Sequence, residues 1–228
     1  MSIRSWLPWS ISLVLVTAAF PSSAPGDGDA PLPIGAASGG TTNPPADVPR
    51  TLTTLEANGF RVSLDTLGFK QDLGSERFRR NYFRLAQFST IDEHKREFGG
   101  GFTFSLLVDD LPKGVMDLKG LFAHCIVANK LAARLKDGSL QPVRSPRAAK
   151  GVLYRYPQRL SVPAGFPKGS PSEFTQWQWY FESIQNGKWF EIHFSRGVAL
   201  DAPVPEGIEP AIERILRSLQ FPGVSPEK

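Results

Sequence analysis

The dipeptide Asn186-Gly187 constrains the fold more than any other feature of the sequence. On either side of it, over residues 174–185 and 188–196, apolar and aromatic residues alternate with polar ones. Asn-Gly between two such segments is the strongest short-range signal for a β-hairpin, because both central residues of a type I′ turn have positive φ. A two-residue turn also fixes the register, with Gln185 facing Lys188. The sequence therefore predicts a long antiparallel hairpin.

This register divides the hairpin into two faces. The face that we expect to be core carries the pairs Phe181–Ile192 and Trp179–Phe194, with Trp177 beyond them. The other face carries the pairs Ile184–Trp189, Glu182–Glu191 and Tyr180–His193.

Glu182, Glu191 and His193 are the only catalytic candidates, and we assign no catalytic residue. Two glutamates opposite each other repel unless they share a cation, take up a proton or lie near Arg or Lys. Paired carboxylates also serve in general acid–base catalysis. The alternative is a solvated strand face whose long side chains splay apart. We expect a protein that is not an enzyme, with an acid–base hydrolase as the rival hypothesis.

The N-terminal residues 1–24 have the pattern of a secretory signal peptide. Arg4 precedes an apolar stretch over residues 11–20, and Ser22-Ser23-Ala24 follows it. This stretch is shorter than the roughly 20 residues that a membrane-spanning helix needs. We expect export to the periplasm or outside the cell, with no membrane span in the mature form. An uncleaved N-terminal anchor is the alternative.

Composition then sets the domain organisation. Residues 25–49 are rich in Pro, Gly and Ala and have few large apolar side chains, which predicts a disordered linker. Residues 50–221 are expected to form a single α+β domain, and residues 222–228 a polar tail. The single Cys125 excludes a disulfide within the chain, and the three histidines are far apart, so we expect no metal and no cofactor.

Two segments have helical periodicity. Over residues 118–135 apolar side chains recur every three or four positions, and Cys125 lies on that stripe as a small hydrophobic residue. His124 is adjacent to Cys125, but neighbouring helical residues point about 100° apart, which argues against a Cys–His nucleophilic pair. Residues 210–219 form a second amphipathic helix.

The C-terminal third resembles the PsbP-like family. The resemblance rests on the long hairpin, the acidic and proline-containing loop, and a helix that ends in Ile-Leu-Arg-Ser-Leu-Gln-Phe over residues 215–221. Residues 58–62 are similar to the opening strand of that family. The resemblance implies a central antiparallel sheet packed between helices, as an α/β/α sandwich, and an exported accessory role. In the photosynthetic members that role is an extrinsic subunit of photosystem II.

A basic segment is the candidate partner-binding site. It contains Arg144, Arg147, Lys150, Arg155 and Arg159. The net charge of the whole chain is only +4, too small an excess for a protein that coats nucleic acid, and we expect no nucleic-acid partner. We expect a non-enzymatic accessory or binding domain with a protein partner in the cell envelope. Binding of an anionic surface through residues 144–159, or a scatter of solvated charges, are the alternatives.

Overall fold

We describe the fold from a computed structural model, in which the described residues are 52–57, 59–79, 82–91, 101–146, 149–161, 172–200 and 202–222. The predicted signal peptide and linker, and the predicted tail apart from Pro222, lie outside these residues. Within the described part, no helix is long and apolar enough to cross a membrane.

One antiparallel sheet forms most of the described structure. Its strands lie in the order β3–β5–β6–β10–β9–β8–β7, and β4 also pairs with β5. Their bounds are β3 Lys70–Leu73, β4 Glu76–Arg79, β5 Tyr82–Ser89, β6 Phe102–Asp110, β7 Gln141–Val143, β8 Val152–Ser161, β9 Glu173–Gln185 and β10 Lys188–Val198. A separate two-stranded hairpin consists of β1 Leu52–Ala57 and β2 Phe60–Asp65.

The predicted β9–β10 hairpin and its register are confirmed. Gln185 pairs with Lys188, and the pairs that follow include Glu182–Glu191 and Tyr180–His193. Asn186 has a φ of 52° and Gly187 a φ of 71°, as a type I′ turn requires.

The predicted core face of the hairpin is buried. Trp179, Phe181, Ile192 and Phe194 are all at most 1% exposed. The β1–β2 hairpin packs over this face together with helix α3, which spans Ile208–Arg217. Apolar residues of α3 recur at helical spacing, and Ile208, Ala211, Ile212, Ile215 and Leu216 are buried.

The predicted α+β fold, with its sheet packed between helices as in the PsbP-like sandwich, is wrong. Strands account for 51% of the structure and helices for 18%. A β-hairpin shares the cover of the core face with the single helix α3. Further strands extend the sheet: β3 and β4 pair with β5 at one edge, and β8 continues to Ser161. The core face of the sheet is therefore covered partly by the β1–β2 hairpin and not by helices alone.

The predicted helix over residues 118–135 is two helices. Helix α1 spans Leu118–Ala128 and α2 spans Ala132–Lys136. Between them the N–H of Lys130 donates to Val127 and the N–H of Leu131 donates to Ile126, which is a Schellman motif. Lys130 has a φ of 55°, a conformation in which glycine is favoured. No glycine marks this end in the sequence, so the periodicity alone did not reveal it.

Candidate functional site

The second face of the hairpin is not a solvated strand face. Helix α1 packs on β9 and covers the Glu182–Glu191 pair. His124 of α1 contacts the Trp189 ring edge to face, with centroids 5.9 Å apart. Glu182 is 0% exposed and Glu191 is half-buried. The expectation of a solvated face is therefore wrong for Glu182.

The Glu182 carboxylate accepts hydrogen bonds from the two neighbouring strands β8 and β10. The Tyr154 hydroxyl of β8 donates to Oε1 at 3.0 Å, and the Trp189 indole N–H of β10 donates to Oε2 at 2.5 Å. Burial nevertheless dominates and raises the pKa of Glu182 from 4.5 to about 7.

The surroundings of Glu191 also disfavour a negative charge. Burial, and then the charges of Glu182 and Asp109, raise the pKa of Glu191 well above its usual range. Two neighbouring carboxyl groups in low dielectric do not both ionise easily, so the pair titrates as a unit. At neutral pH the Glu182–Glu191 pair therefore holds a proton.

His193 lies farther along the same face and is neutral. Its ring stacks on Tyr180 with centroids 4.4 Å apart, and its Nε2 forms a hydrogen bond with the Gln178 side-chain oxygen. Burial lowers the pKa of His193 to about 4. Within the described part of the chain, no hydrogen bond joins His193 to either glutamate.

Cys125 is a buried hydrophobic residue, as the sequence predicts. It is 0% exposed, and burial followed by the charges of Glu182 and Glu191 raises its pKa. Because the thiolate is the nucleophilic form, this environment opposes nucleophilic chemistry at Cys125.

The basic candidates do not form one free cationic patch. Arg155 is ion-paired with Glu209, and Arg159 is ion-paired with Glu173 at 2.7 Å. Lys150 is exposed, and Arg147 lies outside the described residues. Arg144 is exposed, and among the described residues it has no ion pair or hydrogen bond.

Arg144 lies at the rim of a cavity on the core side of the sheet. This α3 cavity has a volume of about 610 Å³ and lies between helix α3 and the start of the β7–β8 loop. Its lining residues are Val143, Arg144, Ser145, Pro146, Leu153, Trp179, Glu209, Pro210, Ile212, Glu213 and Arg217. The volume falls within the range of about 300–1,000 Å³ that is usual for ligand sites.

The charges around the α3 cavity largely neutralise each other. Glu213 pairs with Arg217 at 2.5 Å, and Glu209 pairs with Arg155. Among the described residues that line the cavity, Arg144 is the cation that has no acidic partner. The apolar lining consists of Val143, Leu153, Ile212 and Trp179, and the buried indole N–H of Trp179 has no hydrogen-bond partner within the described structure.

Sequence reasoning placed Trp179 in the core and Arg144 in a basic loop, but it did not bring them together. The one signal in the sequence is that no acidic residue lies within six positions of Arg144. Glu182, Glu191 and His193 do not line the α3 cavity.

Comparisons with known proteins show no family. No family model matches the chain, and no curated protein does. A crystal structure of a protein from Bacteroides thetaiotaomicron has a TM-score of 0.34 and 14% sequence identity over 73% of this chain. The match covers 47% of the Bacteroides protein, so this chain spans about half of its length.

Proposed function

We propose that this chain is an exported, non-enzymatic binding domain that holds a carboxylate and an adjoining apolar side chain of a protein partner in the α3 cavity. The observation that carries the proposal is the position of Arg144, a guanidinium with no described partner at the rim of the α3 cavity, whose lining combines apolar and charged side chains.

The cavity supplies two kinds of contact. Val143, Leu153 and Ile212 offer an apolar surface to a side chain. Arg144 offers a planar, permanently charged donor that suits a carboxylate. A protein C-terminus with an apolar last residue combines both chemistries within one residue.

The surroundings of Glu182 and His193 support a binding role over an acid–base enzyme. Glu182 is fully enclosed, and each of its carboxylate oxygens already accepts a hydrogen bond. A general acid or base must come within hydrogen-bond reach of a substrate. His193 is neutral and packed against Tyr180. Glu182 and His193 are thus engaged with other side chains of the same domain.

The test is a peptide array in which each sequence with an apolar C-terminal residue is present as the free acid and as the amide. We expect the full chain to bind free acids and to lose about tenfold in affinity with the amides, since a hydrogen bond to a charged group is worth about 1.5–3 kcal/mol. Arg144→Gln is expected to abolish this preference. Arg159→Gln is the matched control, because Arg159 is an exposed arginine outside the cavity.

Equal binding of acids and amides, or an Arg144→Gln variant that still prefers acids, would overturn the proposal. So would turnover of a substrate that Glu182→Gln or Glu191→Gln abolishes.

Export is a separate part of the proposal and has its own test. The pattern of residues 1–24 supports it. Fractionation of producing cells, with the mass of the recovered protein, is expected to find a shortened chain outside the cytoplasm. A full-length chain in the cytoplasm would contradict this part and leave the binding site untouched.

A further inference from the structure

Helix α1 is apolar on its outer side as well as on the side that faces the sheet. Leu121, Cys125 and Ile126 are buried. On the opposite side Val127 is 76% exposed, and Met116, just before the helix, is 89% exposed. A helix that is apolar on both sides is usually covered on both sides. Nothing among the described residues covers this one.

Two lysines lie among these apolar side chains. Met116, Lys119, Ala123, Val127 and Lys130 follow one another at spacings of three and four residues, and all are exposed. We call this set the α1 outer face. Within the described structure, neither Lys119 nor Lys130 has an ion pair or a side-chain hydrogen bond.

The surrounding segment is also basic. Residues 111–140 contain five basic residues and two acidic ones, Asp117 and Asp137. Asp117 accepts the backbone N–H of Gly120 at 2.7 Å, and Asp137 accepts that of Ser139 at 2.8 Å. The carboxylates are thus held by the backbone, and the lysines extend into solvent.

Lys130 occupies a position that would favour another residue. It has a φ of 55° at the end of α1, where glycine fits without strain. A non-glycine residue there costs stability, and such strain is often retained at functional positions.

We propose that the α1 outer face binds the surface of an anionic phospholipid membrane. In this arrangement Met116 and Val127 insert between the headgroups, and Lys119 and Lys130 lie at the level of the phosphates. Apolar insertion combined with lysine attraction is how interfacial helices bind, and neither contribution suffices alone.

A lipid surface suits this face better than a protein surface. The apolar side chains project singly from a convex helix and line no groove. Lysine is depleted in protein–protein interfaces, whereas its long side chain suits a headgroup layer. This site lies on the side of the sheet opposite the α3 cavity and does not depend on the proposed binding there.

The test is a fluorescent probe placed in the α1 outer face of the full chain. Val127→Cys is labelled with a polarity-sensitive dye, which Cys125 does not compete for because it is buried. On vesicles of phosphatidylcholine and phosphatidylglycerol we expect a blue shift at low salt that high salt reverses. The matched control is Leu200→Cys, which places the same dye at an exposed residue outside the α1 outer face. A local probe separates this contact from any effect of the N-terminal segment.

Charge removal completes the test. Lys119→Gln and Lys130→Gly are each expected to weaken vesicle affinity about fivefold, in line with one lysine near an anionic surface. Glycine adopts the positive φ of Lys130 without strain, so we expect Lys130→Gly to stay folded and its lower vesicle affinity to report the lost charge. Lys70→Gln removes an exposed lysine on β3 and is expected to change nothing.

The proposal fails if the Val127 probe shows no shift, if it shifts equally on pure phosphatidylcholine, or if the Leu200 probe shifts as much. A shift produced by envelope proteins but not by vesicles would also overturn it, in favour of a protein partner.

Discussion

Tyr154 donates a hydrogen bond of 3.0 Å to Glu182, and so joins β8 to a carboxyl group that has no contact with solvent. Trp189 donates to the other oxygen of the same carboxyl group. These bonds compensate only in part for the burial of Glu182, and they link the stability of the fold to pH.

We expect Glu182→Gln to change the pH dependence of stability. The pKa of Glu182 is about 7 in the folded chain against 4.5 ordinarily, so the folded state binds a proton that the unfolded chain releases. The stability that this proton gives the folded state is fully present below about pH 4.5 and is lost as the pH rises through about 7. The loss is on the order of 3 kcal/mol.

Urea denaturation of the parent chain and of Glu182→Gln, at about pH 5 and at about pH 8, measures this change in pH dependence. Glu182→Gln is expected to gain stability relative to the parent chain as pH rises. The pKa of His193, lowered from 6.5 to about 4, acts in the opposite direction below pH 6.5, but it cancels in this comparison. An equal difference between the two proteins at both pH values would contradict the prediction.

We expect Gly151→Ala to destabilise the fold by about 1–3 kcal/mol, as overpacking does. A Cβ atom at Gly151 would lie 2.4 Å from the Phe181 ring and 2.6 Å from the Glu182 carbonyl oxygen. Gly197→Ala is the matched control, because its Cβ would only contact the Phe174 ring at 3.5 Å. Thermal unfolding of both variants measures the difference, and equal melting temperatures would refute it.

Asp65 and Arg214 form an ion pair at 3.0 Å that ties β2 to helix α3. The Asp65 side chain is 7% exposed. We expect Arg214→Ala to cost about 2 kcal/mol, because it leaves a buried carboxylate without its charged donor. Arg61→Ala breaks the exposed pair with Glu56 and is expected to cost less than about 1 kcal/mol. Equal losses in chemical denaturation would show that the Asp65–Arg214 pair contributes no more than a surface pair.

Cys125 is expected to resist thiol reagents in the folded chain. It is fully buried and its pKa is raised, so little thiolate forms. Reaction with a disulfide reagent should be slow in buffer and complete in denaturant. Val127→Cys introduces an exposed thiol nearby, and it should react at once under native conditions. Rapid native labelling of the parent chain would contradict this.

Local chemistry predicted the β9–β10 hairpin completely, because Asn186-Gly187 sets both the turn and the register. It also predicted that Cys125 is buried. The register brought Glu182 and Glu191 together, but the sequence does not show on which face of the sheet helix α1 packs. The cover over the two glutamates therefore could not be predicted.

The α3 cavity was beyond sequence reasoning for a different reason. Arg144 and Arg217 meet there from distant parts of the chain, and only the packing of α3 on the sheet places them together. The sandwich was wrong because helices were expected as both outer layers. The β1–β2 hairpin was not foreseen as a cover, since a short alternating strand pair carries no sign of where it packs.

Ser63 of β2 and Gln220 exchange two backbone hydrogen bonds of 2.9 Å, so one of the first strands is completed by one of the last described residues. During synthesis the local hairpins can form as they leave the ribosome, but the apolar face of the sheet stays open until α3 and Gln220 have emerged. Nearly the whole domain must therefore be made before its interior closes, and a nascent chain of this protein presents aromatic surface to chaperones until that point.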